Sequence, residues 1–591
     1  MLSSRCVVVG RRADARKEST RLGPRWEEHQ RSDRCPNCYS GVAAVWVDTY
    51  SRYMSERNPS SGPVVGGPHD PEHDPTASYA LERAYVDNLT RRLVATSGAT
   101  AEVRSPINDQ PLAHVPQSNE ADVEEAFRRA RKAQEEWSRT SINTRAAALL
   151  RLHDLVLDRQ DEIIDLICWE SGKARKHAFD EPLHIALTAR YHARTAHQHL
   201  DSRRIRGVIP ALTRVDLHRH PKGVVGIISP WNYPFTMALC DGLPALLAGN
   251  AVVVKPDAQT MLSALLAAQL LEEAGFPPGI WQVVSGPGPH IGPELVKRAD
   301  YICFTGSTAT GRIIAKDCAD RLIGCSLELG GKNPILVLRD ADLEKAAEGA
   351  VRAAFSNAGQ LCVSMERLFI ADQVYDRFLE RFVARTQAMT LGSTLDWGND
   401  MGPLISRRQL ETVTAHVDDA VAKGARVLTG GKARPDLGPY FFEPTILEGV
   451  TPDMTCFGFE TFGPVISAYR FTDEADAIAR ANDGEYGLNA SIYSKDGRRA
   501  RAIAAQIKCG TVNVNEAFAA TFGSLEAPMG GMRESGLGRR QGAEGVLRFT
   551  ETQSVATQRG MRIAPMFGMS DHAYAKMMTT NLRLLKKLGR A

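Results

Sequence analysis

The chain has 591 residues, 43% of them apolar, and a net charge of +3. That length and apolar share exclude a short peptide or a disulfide-stapled miniprotein, and the near-neutral balance gives no global case for nucleic-acid binding. Eleven scattered cysteines, an odd number, argue against a secreted disulfide framework.

The basic excess sits at the ends: ten Arg/Lys against six Asp/Glu in residues 1–53, and six against Asp571 in 561–591. Residues 1–80 show no sustained periodicity. The stretch 56–76 is rich in Pro, Gly, Ser, Asp and His and reads as disordered, with Met54 as an alternative start. Cys35-Pro36-Asn37-Cys38 is a lone CxxC with no further ligands close by, so no metal site is expected. No apolar run reaches the roughly 18 residues of a membrane-spanning helix. Helical spacing of apolar residues covers 122–137 and 145–169 and continues over 182–200, and 205–221 alternates as an extended excursion.

From Pro221 the rhythm changes. Strands are expected at 223–229, 250–255, 281–284 and 301–304, with helices at 234–248, 260–274 and 308–318. Such alternation means a parallel sheet covered on both faces. A second α/β block follows, with helices at 340–357, 374–389, 410–422 and 474–481. Its strands are 367–371, 425–428, 445–447, 464–470, 490–493 and 511–514, and 547–553 reads as an edge strand. After Gly560 the stretch 581–589 is basic and amphipathic. It fits a helix packed on its own protein or a subunit, or one touching an anionic membrane surface.

Several residues could carry chemistry. Phe304-Thr305-Gly306-Ser307 follows a strand and opens a helix, which suits phosphate oxygens or an ordinary turn. Lys255-Pro256-Asp257 ends another strand, where ligands bind in open α/β sheets. Glu328 stands beside Gly330 and Gly331 and could be a base for water. Cys362 follows Gly359-Gln360-Leu361 in a polar turn and could be a nucleophile. Asn232, within Ser229-Pro230-Trp231-Asn232-Tyr233-Pro234, could be an oxyanion donor or a turn asparagine.

Together, in order and spacing, these segments resemble the aldehyde dehydrogenase superfamily from about residue 100 to 556. The resemblance extends to Glu460-Thr461-Phe462-Gly463-Pro464 and to residues 528–536, and includes the 34 residues separating Glu328 from Cys362. It implies an α/β aldehyde dehydrogenase fold: a Rossmann-like cofactor domain over 81–328, interrupted by an arm segment at 205–221, and an α/β catalytic domain over 329–511. Residues 512–558 would return to the core, with about 541–558 completing a β oligomerisation arm, and 561–591 form the basic tail. It also implies Cys362 as nucleophile, Asn232 and the Cys362 N–H as oxyanion donors, and Glu328 as base. Glu460 would bind the nicotinamide ribose and Lys255, with Asp257 beside it, the adenosine ribose. Gly306 and Ser307 would meet the pyrophosphate, and Trp231 and Phe462 line the cofactor cleft. A cytoplasmic homodimer or homotetramer follows, with no nucleic-acid partner and no stable membrane association.

NAD-preferring relatives often carry a glutamate three residues after the lysine. Here that position is Ala258, which leaves room for a 2′-phosphate and favours NADP over NAD. Within the superfamily, residues 222–234, 355–362 and 430–436 resemble actinobacterial succinate-semialdehyde dehydrogenases of the second type, which implies oxidation of succinate semialdehyde to succinate. Well-studied members hold the substrate carboxylate with two arginines, and those positions are Ser356 and Cys240 here. Arg367 or Arg533 would have to replace them, or the substrate is an uncharged medium-chain or aromatic aldehyde. A CoA-acylating enzyme would not need Glu328, and a non-catalytic member would lack Cys362. A membrane-surface module built on the tail is the reading from another class.

Overall fold

The computed structural model describes residues 81–209, 212–560 and 562–589. The expectations for residues 1–80, including Cys35, Cys38 and Met54, lie outside the described residues.

The apolar run at Val224–Ile228 is the centre of a six-stranded sheet. Its neighbours are Ala251–Lys255 and then Trp281–Val283 on one side. On the other lie Tyr301–Thr305, Gly324–Glu328 and the short antiparallel Gly536–Leu537. The five long strands are parallel, and the chain crosses from one half of the sheet to the other between Val224–Ile228 and Tyr301–Thr305. That is the switch point at which doubly wound sheets bind ligands, beyond the strands' carboxyl ends. Both faces are buried, which is why these strands read as continuous Val/Ile runs.

A second sheet of seven strands is ordered Arg426–Thr429, Thr445–Glu448, Val465–Phe471, Met365–Ala371, Asn333–Val337, Asn489–Tyr493 and Thr511–Val514. All are parallel except the first. Thr511–Val514 is thus an edge of this sheet; the chain rejoins the six-stranded sheet only at Gly536–Leu537. A three-stranded antiparallel arm joins Arg203–Arg206, Thr213–Pro221 and Thr550–Gln558. Residues 541–549, expected within the arm, contain instead the helix Gly542–Leu547.

The single helices expected at 145–169 and 234–248 are each broken. The first divides at Arg159 into Ile142–Asp158 and Gln160–Ser171. The second divides into Pro234–Leu239 and Gly242–Leu247. Pro244 has no N–H to give the carbonyl of Cys240, so one continuous helix would leave that acceptor unpaired. The tail forms a longer helix than expected, Asp571–Lys587, and buries none of its residues against the chain. No described helix is long and apolar enough to cross a membrane.

Candidate active site

A cavity of about 840 Å³ opens where the carboxyl ends of the six-stranded sheet meet the amino ends of strands in the seven-stranded sheet. Its lining includes Trp231, Asn232, Gly306, Ser307, Glu328, Cys362, Glu460 and Phe462. Eight of the ten residues singled out in the sequence therefore meet in one space. Lys255 and Asp257 do not line it. Lys255 is buried at the end of its strand, where burial lowers its pKa and Asp257 opposes the shift. The Asp257 carboxylate accepts from Gln259 N at 2.9 Å, capping the turn Ala258–Thr260, and Gln259 reaches the cavity wall.

Cys362 ends a loop of unusual backbone. Asn357, Ala358 and Gly359 all have positive φ, at 52°, 54° and 70°. Only glycine fits the third position, because a Cβ there would lie 2.0 Å from the carbonyl oxygen of Gly463. The loop is tied down by amides. Asn357 Nδ2 donates to the carbonyls of Asn232 and Gln360 at 3.2 and 3.1 Å, and Ile405 N donates to Gln360 Oε1 at 2.9 Å. Asn232 Nδ2 donates to Gln360 O at 3.0 Å, which aims its amide at the cysteine loop. Downstream, Asn333 Nδ2 donates to Cys362 O, and Asn489 Nδ2 donates to Val363 O at 3.1 Å. Burial pushes the Cys362 thiol up to about 12, with Glu328 and Glu460 adding to the shift.

Glu328 terminates the strand Gly324–Glu328, and its carbonyl accepts from Gly306 N at 3.0 Å. Among the described residues its Oε1 has no hydrogen-bond partner, in a buried setting. Burial raises its pKa to about 7, while the charge of Arg540 opposes the rise. A carboxyl of that pKa, free to accept a proton, is suited to general-base work near neutrality. Arg540 is fixed by Asp241, which accepts from its Nε and Nη2 at 2.8 and 2.7 Å and from Arg548 Nη2 at 2.5 Å.

On the other flank, Glu460 Oε1 accepts from Gly331 N at 2.8 Å, and burial together with Glu366 raises its pKa to about 8. Gly331 is also pressed against the Cys362 backbone, since a Cβ there would lie 2.7 Å from Cys362 O. Trp231 and Phe462 meet edge to face, with ring centroids 5.4 Å apart. Ser307 caps the helix Thr308–Asp320, its Oγ accepting from Thr310 N. A capped helix N-terminus at the switch point, an aromatic cleft and an acid beyond it fit the pyrophosphate, ring and ribose of a dinucleotide. Among the described residues no group of three or more His, Cys, Asp or Glu could hold a metal ion.

Neither arginine expected to replace the missing substrate cations reaches the cavity. Arg367 is buried elsewhere: its Nε donates to Lys332 O, its Nη1 to Arg480 O and Asp483 O, and its Nη2 to Ala481 O. Arg533 donates to Asn482 O and Gly484 O. Both guanidiniums satisfy backbone carbonyls at loop ends, a use that the spacing of charges along a sequence does not reveal. Sequence reasoning also missed Asn333, Asn357, Gln360 and Asn489. The available signal was a glycine one or two positions away from each of them.

The aldehyde dehydrogenase family profile matches residues 93–555. The chain belongs to that family, whose members are NAD(P)+-dependent enzymes that oxidise aldehydes through a cysteine nucleophile. A Mycolicibacterium smegmatis protein named "Putative succinate-semialdehyde dehydrogenase (NADP+)" is 49% identical over 502 residues, covering 84% of this chain and 97% of the relative. Among solved structures, an NADP-dependent enzyme of E. coli matches with a TM-score of 0.77 and 36% identity, covering 80% of this chain and 99% of that one. A succinate-semialdehyde dehydrogenase from Burkholderia pseudomallei matches with a TM-score of 0.75 and 36% identity, covering 78% and 95%.

Proposed function

We propose that the chain oxidises succinate semialdehyde to succinate with NADP+. The observation that carries the chemistry is that Asn232, Glu328 and Cys362 share one cavity with Gly306, Ser307, Trp231, Glu460 and Phe462. Cys362 Sγ adds to the aldehyde carbonyl carbon as the thiol proton passes to water. The oxygen that becomes negative is met by Asn232 Nδ2–H and the Cys362 N–H. A nicotinamide dinucleotide held by Gly306, Ser307 and Glu460 would supply the acceptor for the aldehyde hydrogen as hydride, which leaves a thioester on Cys362. Glu328 then removes a proton from water, which attacks the thioester and releases the carboxylate and the cysteine thiol.

Glu460 holds the nicotinamide ribose, and Gly306 and Ser307 the pyrophosphate. Lys255 serves the adenosine ribose. The names of the Mycolicibacterium and Burkholderia relatives support the substrate. NADP is supported by Ala258, and by the Asp257 carboxylate being turned onto Gln259. The chain works as a cytoplasmic homodimer or homotetramer joined through the arm.

The test is NADPH and NADH formation over succinate semialdehyde, hexanal and benzaldehyde, with Cys362→Ala as control. A higher kcat/KM for succinate semialdehyde with NADP+ is expected. A preference for hexanal or benzaldehyde overturns the substrate, and activity in the control overturns the nucleophile.

A further inference from the structure

Three arginines line the catalytic cavity: Arg352, Arg408 and Arg540. Arg540 is held by both carboxylate oxygens of Asp241 and by Thr305. Arg408 stands beside Gln409, whose Nε2 donates to Phe462 O at 2.8 Å, so it belongs to the Phe462 flank. Arg352 is different. It lies in the last turn of the helix Leu343–Phe355, directly before the loop that ends at Cys362.

Its guanidinium sits 5.4 Å from the centroid of Phe518, a cavity residue. Nη1 donates to Glu516 Oε1 at 3.3 Å, and Ala520 N holds the other oxygen of that carboxylate at 3.0 Å. The Arg352 side chain is 52% exposed, and Glu516 is the one hydrogen-bond acceptor its guanidinium has among the described residues. A guanidinium offers five N–H groups in a planar fork that matches a carboxylate. Tyr233 lines the same cavity as Cys362 and Arg352; burial raises the pKa of its phenol, and Arg352 opposes that rise. Asp180 shares that wall, and Arg352 offsets part of the rise that burial causes in its pKa.

Resting on the substrate reading above, we propose that Arg352 binds the distal carboxylate of the aldehyde and makes the enzyme select short semialdehydes that end in a carboxylate. The two positions at which relatives carry that cation are Ser356 and Cys240, both buried here. Arg352 supplies the charge from one helical turn before Ser356.

The experiment compares kcat/KM for succinate semialdehyde with that for butanal, its counterpart without the carboxylate. It uses the full chain and its Arg352→Gln and Arg352→Lys variants, with melting temperatures recorded alongside. In Arg352→Gln the succinate semialdehyde to butanal ratio is expected to fall about 30-fold, mainly through KM, with part of it regained in Arg352→Lys. A wild-type preference for succinate semialdehyde that survives within about threefold in Arg352→Gln overturns the role of Arg352 and leaves the substrate standing. A wild type that does not distinguish the two aldehydes overturns the substrate reading, and the anchor with it. A ratio lost equally in both variants, with a lowered melting temperature, assigns Arg352 to holding Glu516 and overturns the proposal.

Discussion

Asn333 Nδ2 donates to the carbonyl oxygen of Cys362 at 2.8 Å, and the same nitrogen donates to Ser364 O at 2.7 Å. Asn333 is the first residue of a strand in the seven-stranded sheet, while Glu328 closes a strand of the six-stranded sheet. The five-residue step between them carries the chain from one sheet to the other. One short connection therefore sets the distance between the proposed base and the proposed nucleophile.

Asn333→Ala removes both donors from buried carbonyls. Stability is expected to fall by about 1–3 kcal/mol in urea unfolding. Misplacing the thiol is expected to lower kcat by about tenfold or more with little change in KM. A variant that loses stability but keeps its kcat would remove Asn333 from the positioning of Cys362.

Much of this arrangement was legible in the sequence, and the exceptions have physical causes. Val224–Ile228 and Ala251–Lys255 are buried on both faces and announce themselves as apolar runs. Gly324–Glu328 and Asn333–Val337 were not expected as strands. Each is five residues long, and the Gly330-Gly331 pair between them reads as a turn although it links two sheets. The hairpin of Thr100–Arg104 with Pro111–Pro116 was hidden by its flanking prolines. The proposed catalytic residues stood out because each lies close to glycine or proline in a short motif. Asn357 and Asn489 did not, since a buried amide clamp and an exposed loop asparagine look alike in one dimension.

Acid–base behaviour gives a second prediction. Burial raises Glu328 from 4.5 to about 7. Between those values the folded chain keeps a proton that the unfolded chain has lost, so this group makes stability fall as pH rises, and adds no further slope above about 7. Glu328→Gln removes that contribution. Relative to the wild type, the variant should therefore gain up to roughly 3 kcal/mol between pH 5 and pH 8 in urea unfolding. Hydrolysis of the thioester in the wild type should rise with pH around 7, as the carboxyl loses its proton.

The Asp241 cluster gives a third. Arg540 and Arg548 hold the buried Asp241 carboxyl well below its ordinary range, against the effect of burial. Its depressed pKa means that its contribution to stability is present above the ordinary carboxyl range and is lost only in strong acid. Asp241→Asn leaves two buried guanidiniums without a counter-charge and should cost about 3–5 kcal/mol at pH 7. A loss under about 1 kcal/mol in urea unfolding would show that the arginines find other partners.

Cofactor preference gives a fourth. Ala258 opens the turn capped by Asp257. Ala258→Glu restores a carboxylate where a 2′-phosphate would lie. The ratio of kcat/KM with NADP+ to that with NAD+ should fall by about tenfold or more. An unchanged ratio would place the 2′-phosphate elsewhere.

The central claim is that Cys362 forms the covalent intermediate and Glu328 activates the water that releases it. The most direct measurement is rapid mixing of Glu328→Gln with succinate semialdehyde and NADP+, followed by intact-protein and peptide mass analysis. The account predicts a burst of about one NADPH per chain, slow turnover afterwards, and a succinyl adduct on the peptide containing Cys362. Wild-type turnover without a burst, or an adduct on any other residue, would contradict it.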